Sequence, residues 1–177
     1  MIIIDDFVKD EELLRFLRME ATLLYPKDYF WKDKDAEPYN YTEQFCQMVF
    51  DQYAPVKRYS GFEYWANRLS LEWQQELPWH YDKDEFFWRE TGSIVSPDIG
   101  MIYYAHEELP VGGYLEVDWQ GELERIQPKP NRLILFDPST YHRVTPVNGE
   151  RMTIAANIWY DPSSPENFSE EKVQLHK

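Results

Sequence analysis

The spacing of apolar residues changes partway along the chain, at about Pro55. Before Pro55, apolar side chains recur every three to four residues, which is typical of helices that bury one face. One helix is predicted from Glu11 to about Leu24, with Asp10 as its N-cap. A second helix is predicted to begin at the capping residue Thr42 and to end before Pro55. The other segments of this half are a strand over 2–4 and a loop over 25–41.

After Pro55 the apolar residues alternate with polar ones or form short runs, which is typical of β-strands. Turn-forming pairs such as Gly112-Gly113 and Asn148-Gly149 separate several of the runs. Two helices followed by about nine short strands favour a mainly β fold, an antiparallel jelly-roll or barrel with the helices packed outside. The candidate strands are 57–63, 68–74, 78–82, 99–105, 114–118, 122–127, 132–136, 141–147 and 150–159.

No repeat, low-complexity stretch or linker divides the 177 residues, so we predict one domain over 1–177. Within it, residues 1–55 form the helical support, residues 57–160 the β core, and residues 161–177 a polar tail.

Charge and composition narrow the class of protein. The net charge of −14 repels a phosphate backbone, and no run of Lys or Arg forms a basic patch, so a nucleic-acid partner is disfavoured. The single cysteine, Cys46, excludes an internal disulfide. The first residues, 1–6, have no basic region of a signal peptide, and no segment reaches the roughly 18 apolar residues of a membrane span. We therefore expect a cytoplasmic protein with no membrane partner.

Three side chains form a candidate metal site. On one strand His80 and Asp82 would present an imidazole and a carboxylate on the same face, because alternate residues point the same way. His142, in a later candidate strand, supplies a second imidazole. Two histidines and one carboxylate leave adjacent positions of a metal ion open, as in non-heme Fe(II) oxygenases. A His-x-Asp pair occurs often by chance, and Asp84 is an alternative ligand if the strand continues.

The Asn148-Gly149 pair predicts a two-residue hairpin. Such a hairpin places Pro146 opposite Arg151, so that Arg151 points into the same cavity as His142. His142 and Pro146 are then about 13 Å apart at roughly 3.3 Å per residue, which leaves roughly 5–7 Å between the guanidinium and the metal. A five-carbon diacid fits this gap, with one end on the metal and a carboxylate on Arg151. An exposed arginine beside a turn is the alternative.

Several segments between residues 68 and 160 resemble those of the prolyl-hydroxylase-like Fe(II)/2-oxoglutarate oxygenases, with a fainter match over Ile2–Leu17. The order of the motifs and the nine-residue step from His142 to Arg151 fit the pattern of that family. The segments are His80-Tyr81-Asp82, Ile102–Tyr104 with Gly112–Leu115, Pro128–Phe136, and His142 through Arg151 to Trp159.

This resemblance implies a double-stranded β-helix, a cupin-like jelly-roll, with Fe(II) on His80, Asp82 and His142 and 2-oxoglutarate on Arg151. It implies O2 as a cosubstrate and makes ascorbate a further cofactor candidate. Tyr104 matches a tyrosine whose hydroxyl helps to hold the distal carboxylate of 2-oxoglutarate. The expected wall positions are Ile102, Leu115 and Val144 by the resemblance, and Thr153 by alternation from Arg151.

The implied activity is hydroxylation of a substrate C–H with release of succinate and CO2. We rank a prolyl or other peptidyl residue first as substrate, a free amino acid or small metabolite second, and a nucleic-acid base third. The segment 69–73 lacks the tyrosine that the family often has upstream of its His-x-Asp motif. Residues 83–98 are predicted to form a lid or wall over the substrate, with a surface loop as the alternative.

Two other classes of function stay open on the residues alone. One is a cupin-like metal enzyme of different chemistry, such as an isomerase, which would not need Arg151. The other is a non-catalytic β-barrel that binds a ligand or partner. For the oligomeric state we expect a monomer or a homodimer.

Overall fold

The computed structural model describes residues 1–25, 29–54, 59–169 and 172. The helices are α1 (Glu11–Leu24), α2 (Tyr41–Tyr53), α3 (Glu85–Thr91) and a short 3-10 helix (Pro165–Asn167). The strands are β1 (Ile2–Ile4), β2 (Phe30–Asp33), β3 (Gly61–Ser70), β4 (Leu77–His80), β5 (Ile99–Tyr104), β6 (Val111–Gly112), β7 (Leu115–Trp119), β8 (Glu122–Ile126), β9 (Leu133–Phe136), β10 (Tyr141–Val144), β11 (Val147–Asn148) and β12 (Glu150–Trp159).

The strands form two main antiparallel sheets and one short ribbon. The larger sheet has the order β1-β9-β5-β12-β3-β2, the smaller sheet has the order β4-β10-β7-β8, and β11 pairs with β6. The mainly β jelly-roll with helices outside is therefore confirmed. Among the described residues, none of the helices is long and apolar enough to cross a membrane.

Strand β12 lies between β3 and β5 and is buried along nearly its whole length. Ile154 and Ile158 pack with Leu17 of α1 and Phe45 of α2 in the main apolar core. The residues that alternate with them, such as Thr153, face the cavity between the two sheets. One strand therefore anchors the helices with one face and lines the cavity with the other.

The first helix begins as predicted, because the Asp10 carboxylate accepts hydrogen bonds from the backbone N–H groups of Glu12 and Leu13. The predicted cap of the second helix is wrong by two residues. Asn40 is the N-cap of α2 and accepts from the N–H of Glu43 at 2.8 Å. Thr42 uses its hydroxyl instead to bind a carboxylate of α1.

The strand predictions for residues 25–74 need two corrections. The predicted loop over 25–41 contains β2, which pairs with β3 at the edge of the larger sheet. The predicted strands 57–63 and 68–74 overlap one continuous strand, β3, which ends at Ser70, so residues 71–74 are not strand; residues 57 and 58 lie outside the described residues. A four-residue edge strand is too short for alternation to be visible in the sequence. The long β3 is buried on both faces in its first half, so apolar and polar residues do not alternate along it.

The predicted hairpin across Asn148-Gly149 is wrong. Gly149 has φ +105°, so the chain does turn there. However, β11 pairs with β6, β10 pairs with β4 and β7, and β12 pairs with β3 and β5. The chain therefore passes from the β11–β6 ribbon to the larger sheet at Gly149 instead of folding back on itself. Residues of β10 and β12 that were expected to pair across a hairpin line the same cavity instead.

A buried carboxylate joins the two helices. Glu20 of α1 is 1% exposed and accepts from the N–H of Tyr41 at 3.1 Å and from the N–H and hydroxyl of Thr42 at 2.7 Å each. These N–H groups belong to the first turn of α2, which has no helical partners for them. Glu20 of α1 thus supplies the hydrogen-bond acceptors for the N–H groups at the N-terminus of α2.

We expect Glu20→Ala to lower the free energy of unfolding by about 2 kcal/mol, because it leaves buried donors without a partner. Urea denaturation measures this change. Gln44→Ala, at an exposed position of α2, is the matched control and should change stability by less than about 0.5 kcal/mol. Equal stability of the Glu20 variant and wild type would show that the hydrogen bonds of Glu20 to α2 do not contribute to the free energy of unfolding.

Candidate active site

The three predicted metal ligands converge at one end of the cavity between the sheets. His80 ends β4, and His142 lies directly opposite it on β10. The Asp82 Oδ1 atom lies 3.6 Å from the Nε2 atom of each histidine. One donor atom of each residue lies within 4.8 Å of the others, so the three could hold one metal ion.

Backbone carbonyls fix the orientation of both imidazoles. The Nδ1–H of His80 donates to the Pro78 carbonyl, and that of His142 donates to the Thr140 carbonyl, each at 2.7 Å. A neutral imidazole that donates through Nδ1 keeps a lone pair on Nε2. Both lone pairs therefore face the Asp82 carboxylate, as a metal site requires.

The protonation equilibria of the three groups are shifted in different directions. Burial, and next the nearby His142, lower the pKa of His80. Burial alone would lower the pKa of His142, but the neighbouring Asp82 carboxylate raises it overall. Burial opposes ionisation of Asp82, yet His142 and then His80 bring its pKa below the ordinary value. The site is thus built around an ionised carboxylate.

Asp82 is held by groups outside the triad. Its backbone N–H donates to the Pro138 carbonyl, and its Oδ2 accepts from the Nδ2 of Asn157 at 3.1 Å. The same Nδ2 donates to the Oε1 of Glu63 at 2.9 Å. Asn157 therefore orients the carboxylate and links it to a second, deeply buried acid.

The alternative ligand Asp84 has a different role. The strand ends at His80, so Asp84 does not share the face of Asp82. It is the N-cap of α3, and it also accepts from the N–H of Ser164 at 2.6 Å and the Nδ2 of Asn167 at 2.8 Å. Among the described residues it belongs to no candidate metal cluster.

Arg151 points into the cavity that holds the triad, although the predicted hairpin does not form. Its side chain is 1% exposed, and its Nε has no hydrogen-bond partner among the described residues. The guanidinium carbon lies 5.1 Å from the centre of the Tyr104 ring. Gly113, at φ +65°, leaves room for this side chain, because a Cβ there would lie 3.1 Å from the Arg151 Cδ.

The other predicted cofactor positions surround the same cavity. Tyr104 lies under the guanidinium, and its buried hydroxyl has no partner among the described residues. The remaining predicted wall residues all line the cavity: Ile102, Leu115, Val144 and Thr153.

His106 is a buried residue near this cavity that the sequence reasoning did not assign. Its ring lies 5.5 Å from that of Tyr104, and its Nδ1 donates to the Met152 carbonyl at 3.2 Å. Its Nε2 is buried and has no partner among the described residues. Burial lowers the pKa of His106 to about 4, so the ring is neutral at pH 7. His106 lies two residues beyond the end of β5, so strand alternation does not predict its position.

A wider cleft of about 550 Å³ adjoins the triad. It shares Trp65, His80, Asp82 and Asn157 with the inner cavity, so the two spaces meet at the candidate metal site. Part of its wall comes from the segment predicted as a lid or wall, which supplies Lys83, Glu85 and Arg89.

This segment contains a short helix, α3, instead of an irregular loop. Two of its aromatic residues, Phe87 and Trp88, are 38% and 42% exposed, whereas Phe86 is half-buried. The Lys83 ammonium lies 4.7 Å from the centre of the Trp88 ring.

Comparisons with solved structures agree with this fold. A prolyl-4-hydroxylase of Pseudomonas putida superposes with a TM-score of 0.63 at 16% identity, covering 91% of this chain and 88% of that one. A prolyl hydroxylase of Trichoplax adhaerens, in complex with a hypoxia-inducible-factor peptide fragment, gives 0.59 at 12% identity, covering 89% and 82%. A 2OG-Fe(II) oxygenase-family oxidoreductase of Burkholderia pseudomallei gives 0.62 at 13%, covering 95% and 88%.

Sequence comparison identifies the family. No curated protein matches the chain. A family model described as the 2OG-Fe(II) oxygenase superfamily matches residues 64–160, more than half of the chain. The matched region contains all three candidate metal ligands and Arg151. The chain therefore belongs to the 2OG-Fe(II) oxygenase superfamily, and its fold is similar to that of prolyl hydroxylases.

Proposed function

We propose that this chain hydroxylates a C–H bond of a prolyl, other peptidyl or amino-acid-like substrate, using Fe(II), 2-oxoglutarate and O2. The observation that carries the proposal is a His-Asp-His cluster and a buried, unpaired Arg151 guanidinium on one cavity. Bound Fe(II) supplies the oxidative chemistry, in which 2-oxoglutarate becomes succinate and CO2 while one oxygen atom enters the substrate C–H.

His80, Asp82 and His142 would hold the iron. The two imidazoles offer their Nε2 atoms because each Nδ1 is engaged by a backbone carbonyl. Three protein ligands leave positions for a chelating 2-oxo acid and for oxygen. Asn157 keeps Asp82 aimed at the ion through the 3.1 Å hydrogen bond.

Arg151 would bind the distal carboxylate of 2-oxoglutarate. A guanidinium is rarely buried without a carboxylate partner, because burial of an unpaired charge is unfavourable. Arg151 forms no ion pair with a described residue, so an anionic ligand would supply the negative charge that pairs with its guanidinium. The free hydroxyl of Tyr104 would donate to the same carboxylate. Four side chains would enclose the carbon chain and exclude water: Ile102, Leu115, Val144 and Thr153.

The substrate would occupy the outer cleft, which meets the inner cavity at the metal ligands. Support for a peptidyl substrate comes from the fold shared with two prolyl hydroxylases, one of them bound to a peptide fragment. A free amino acid is the second candidate, since a cleft of about 550 Å³ also accommodates a small molecule.

We expect Arg151→Ala to weaken 2-oxoglutarate binding to the Mn(II)-loaded protein about 100-fold or more, because the distal carboxylate loses its charged partner. Fe(II)-dependent succinate formation should fall with it. Calorimetric titration measures the affinity, and Arg15→Ala removes a largely exposed cation as the matched control. Unchanged 2-oxoglutarate affinity in Arg151→Ala, with normal folding, would instead support a metal enzyme of other chemistry.

Glu63 is the second acid behind the metal site, and it is 7% exposed. Burial raises the pKa of Glu63 to about 8, despite the hydrogen bond from Asn157. The folded state therefore holds a proton that the unfolded state releases near pH 4.5. The stability that this proton contributes is present below pH 4.5 and is lost as the pH rises towards 8.

We predict that the stability difference between wild type and Glu63→Gln depends on pH in the metal-free protein. From pH 6 to pH 8 the wild type should lose about 2 kcal/mol relative to the variant, since Gln does not titrate. Urea denaturation with a chelator at both pH values measures this difference. A constant difference would mean that Glu63 is ionised throughout.

A further inference from the structure

One wall of the outer cleft consists of two aromatic rings. Tyr29 and Trp65 lie with their ring centres 4.8 Å apart at an interplanar angle of 53°. Both rings line the cleft, and Trp65 also lines the inner cavity. The aromatic pair therefore lies on the route from the cleft to the metal ligands.

A buried carboxyl group lies beside this pair. Glu63 precedes Trp65 by two residues on β3, so both side chains project from the same face of the sheet. Glu63 lines the cleft and accepts a hydrogen bond from Asn157. No Lys or Arg of the described residues pairs with it. A carboxyl group in this position lacks the cation that buried acids usually have.

The electrostatic field at this wall is negative. Burial, followed by the charges of Asp82, Glu63 and Glu85, raises the pKa of Tyr29 to about 12. The Asp82 and Glu85 carboxylates, which disfavour an anionic phenolate, would attract a cation. The net charge of −14 acts in the same direction at longer range.

The two basic residues of the cleft do not fill this place. The Lys83 ammonium pairs with Glu85 at 2.7 Å and lies over the Trp88 ring. Arg89 is exposed, and its Nε donates to the Glu85 carbonyl. The subsite formed by Tyr29, Trp65 and Glu63 thus has no cation among the described residues.

We infer that the substrate carries a positively charged nitrogen, an alkylammonium or guanidinium, which binds in the subsite formed by Tyr29, Trp65 and Glu63. The rings would contact the cation through their faces, and the bound cation would favour ionisation of Glu63, which would pair with it as a carboxylate. This inference rests on the proposed function and narrows its substrate class from any amino-acid-like molecule to a basic one.

The subsite also constrains where the substrate is oxidised. The Nδ2 of Asn157 bridges Glu63 at 2.9 Å and the metal ligand Asp82 at 3.1 Å. A cation held by Glu63 is therefore separated from the metal ligand by a single amide group. The carbon presented to the metal should be only a few bonds from the charged nitrogen, as in a basic side chain or a free amino acid.

The test uses the full chain loaded with Mn(II) and 2-oxoglutarate, and measures binding of blocked tripeptides by calorimetry. The central residue is lysine, arginine, acetyl-lysine or proline, and free lysine and arginine form a separate arm. A lysyl or arginyl peptide, or the free basic amino acid, should bind at least tenfold more tightly than the acetyl-lysyl or prolyl peptide. Which cationic arm binds distinguishes a peptide from a small-molecule substrate.

Variants assign the preference to the subsite. Glu63→Gln should reduce binding of the cationic ligand tenfold or more, and Tyr29→Leu should reduce it severalfold. Tyr29→Phe keeps the ring and should retain most of the affinity. Glu122→Gln, at an exposed position on β8, is the control for loss of an acid. The 2-oxoglutarate affinity of each variant is measured first, and binding of the cationic ligand is then compared with 2-oxoglutarate at saturation.

Equal binding of charged and neutral peptides, no binding of any cationic ligand, or full affinity in Glu63→Gln would each overturn the inference. In those cases the proposed function still stands if the wild type binds 2-oxoglutarate with its metal and forms succinate. If the wild type does not bind 2-oxoglutarate, the proposed function itself fails. The two failures are therefore distinguishable.

Discussion

A guanidinium buried without a carboxylate partner is the constraint on which the rest of the site depends. Arg151 is 1% exposed, and the groups around it are an aromatic ring and the apolar wall of a cavity. Burial of such a charge is unfavourable unless a ligand of opposite charge pairs with it. Because the cavity that contains Arg151 also contains the three candidate metal ligands, an anion and a metal would share one binding site.

The fold builds this site by bringing strands of different sheets face to face. β4 and β10 supply the histidines from the smaller sheet, and β12 supplies Arg151 and Asn157 from the larger one. Alternation along β12 sends every second residue into the helix-facing core, so the cavity side is held by the same packing that stabilises the domain. Rigid placement of this kind suits a site that must hold a metal and a diacid at a fixed separation.

Sequence patterns predicted the architecture and that the candidate site residues lie together, but not the path of the chain between them. The three candidate metal ligands and Arg151 share one cavity. The hairpin from which Arg151 was predicted does not form, since Asn148-Gly149 joins two sheets. A turn signal fixes the local backbone but not the partner of the next strand, which depends on long-range pairing. Glu63 and Tyr29 were missed for the same reason, because they reach the site only through the pairing of β3 with β12 and of β2 with β3.

We predict that one cosubstrate spans the distance from the metal to Arg151. The most direct measurement compares the affinity of the Mn(II)-loaded protein for 2-oxoglutarate and for 2-oxopentanoate, which has a methyl group in place of the distal carboxylate. Both can chelate the metal through their 2-oxo acid, but only the first can pair with the guanidinium. We predict that 2-oxoglutarate binds about 100-fold more tightly or better. Equal affinities would contradict the account, because the buried charge of Arg151 would then contribute nothing to binding.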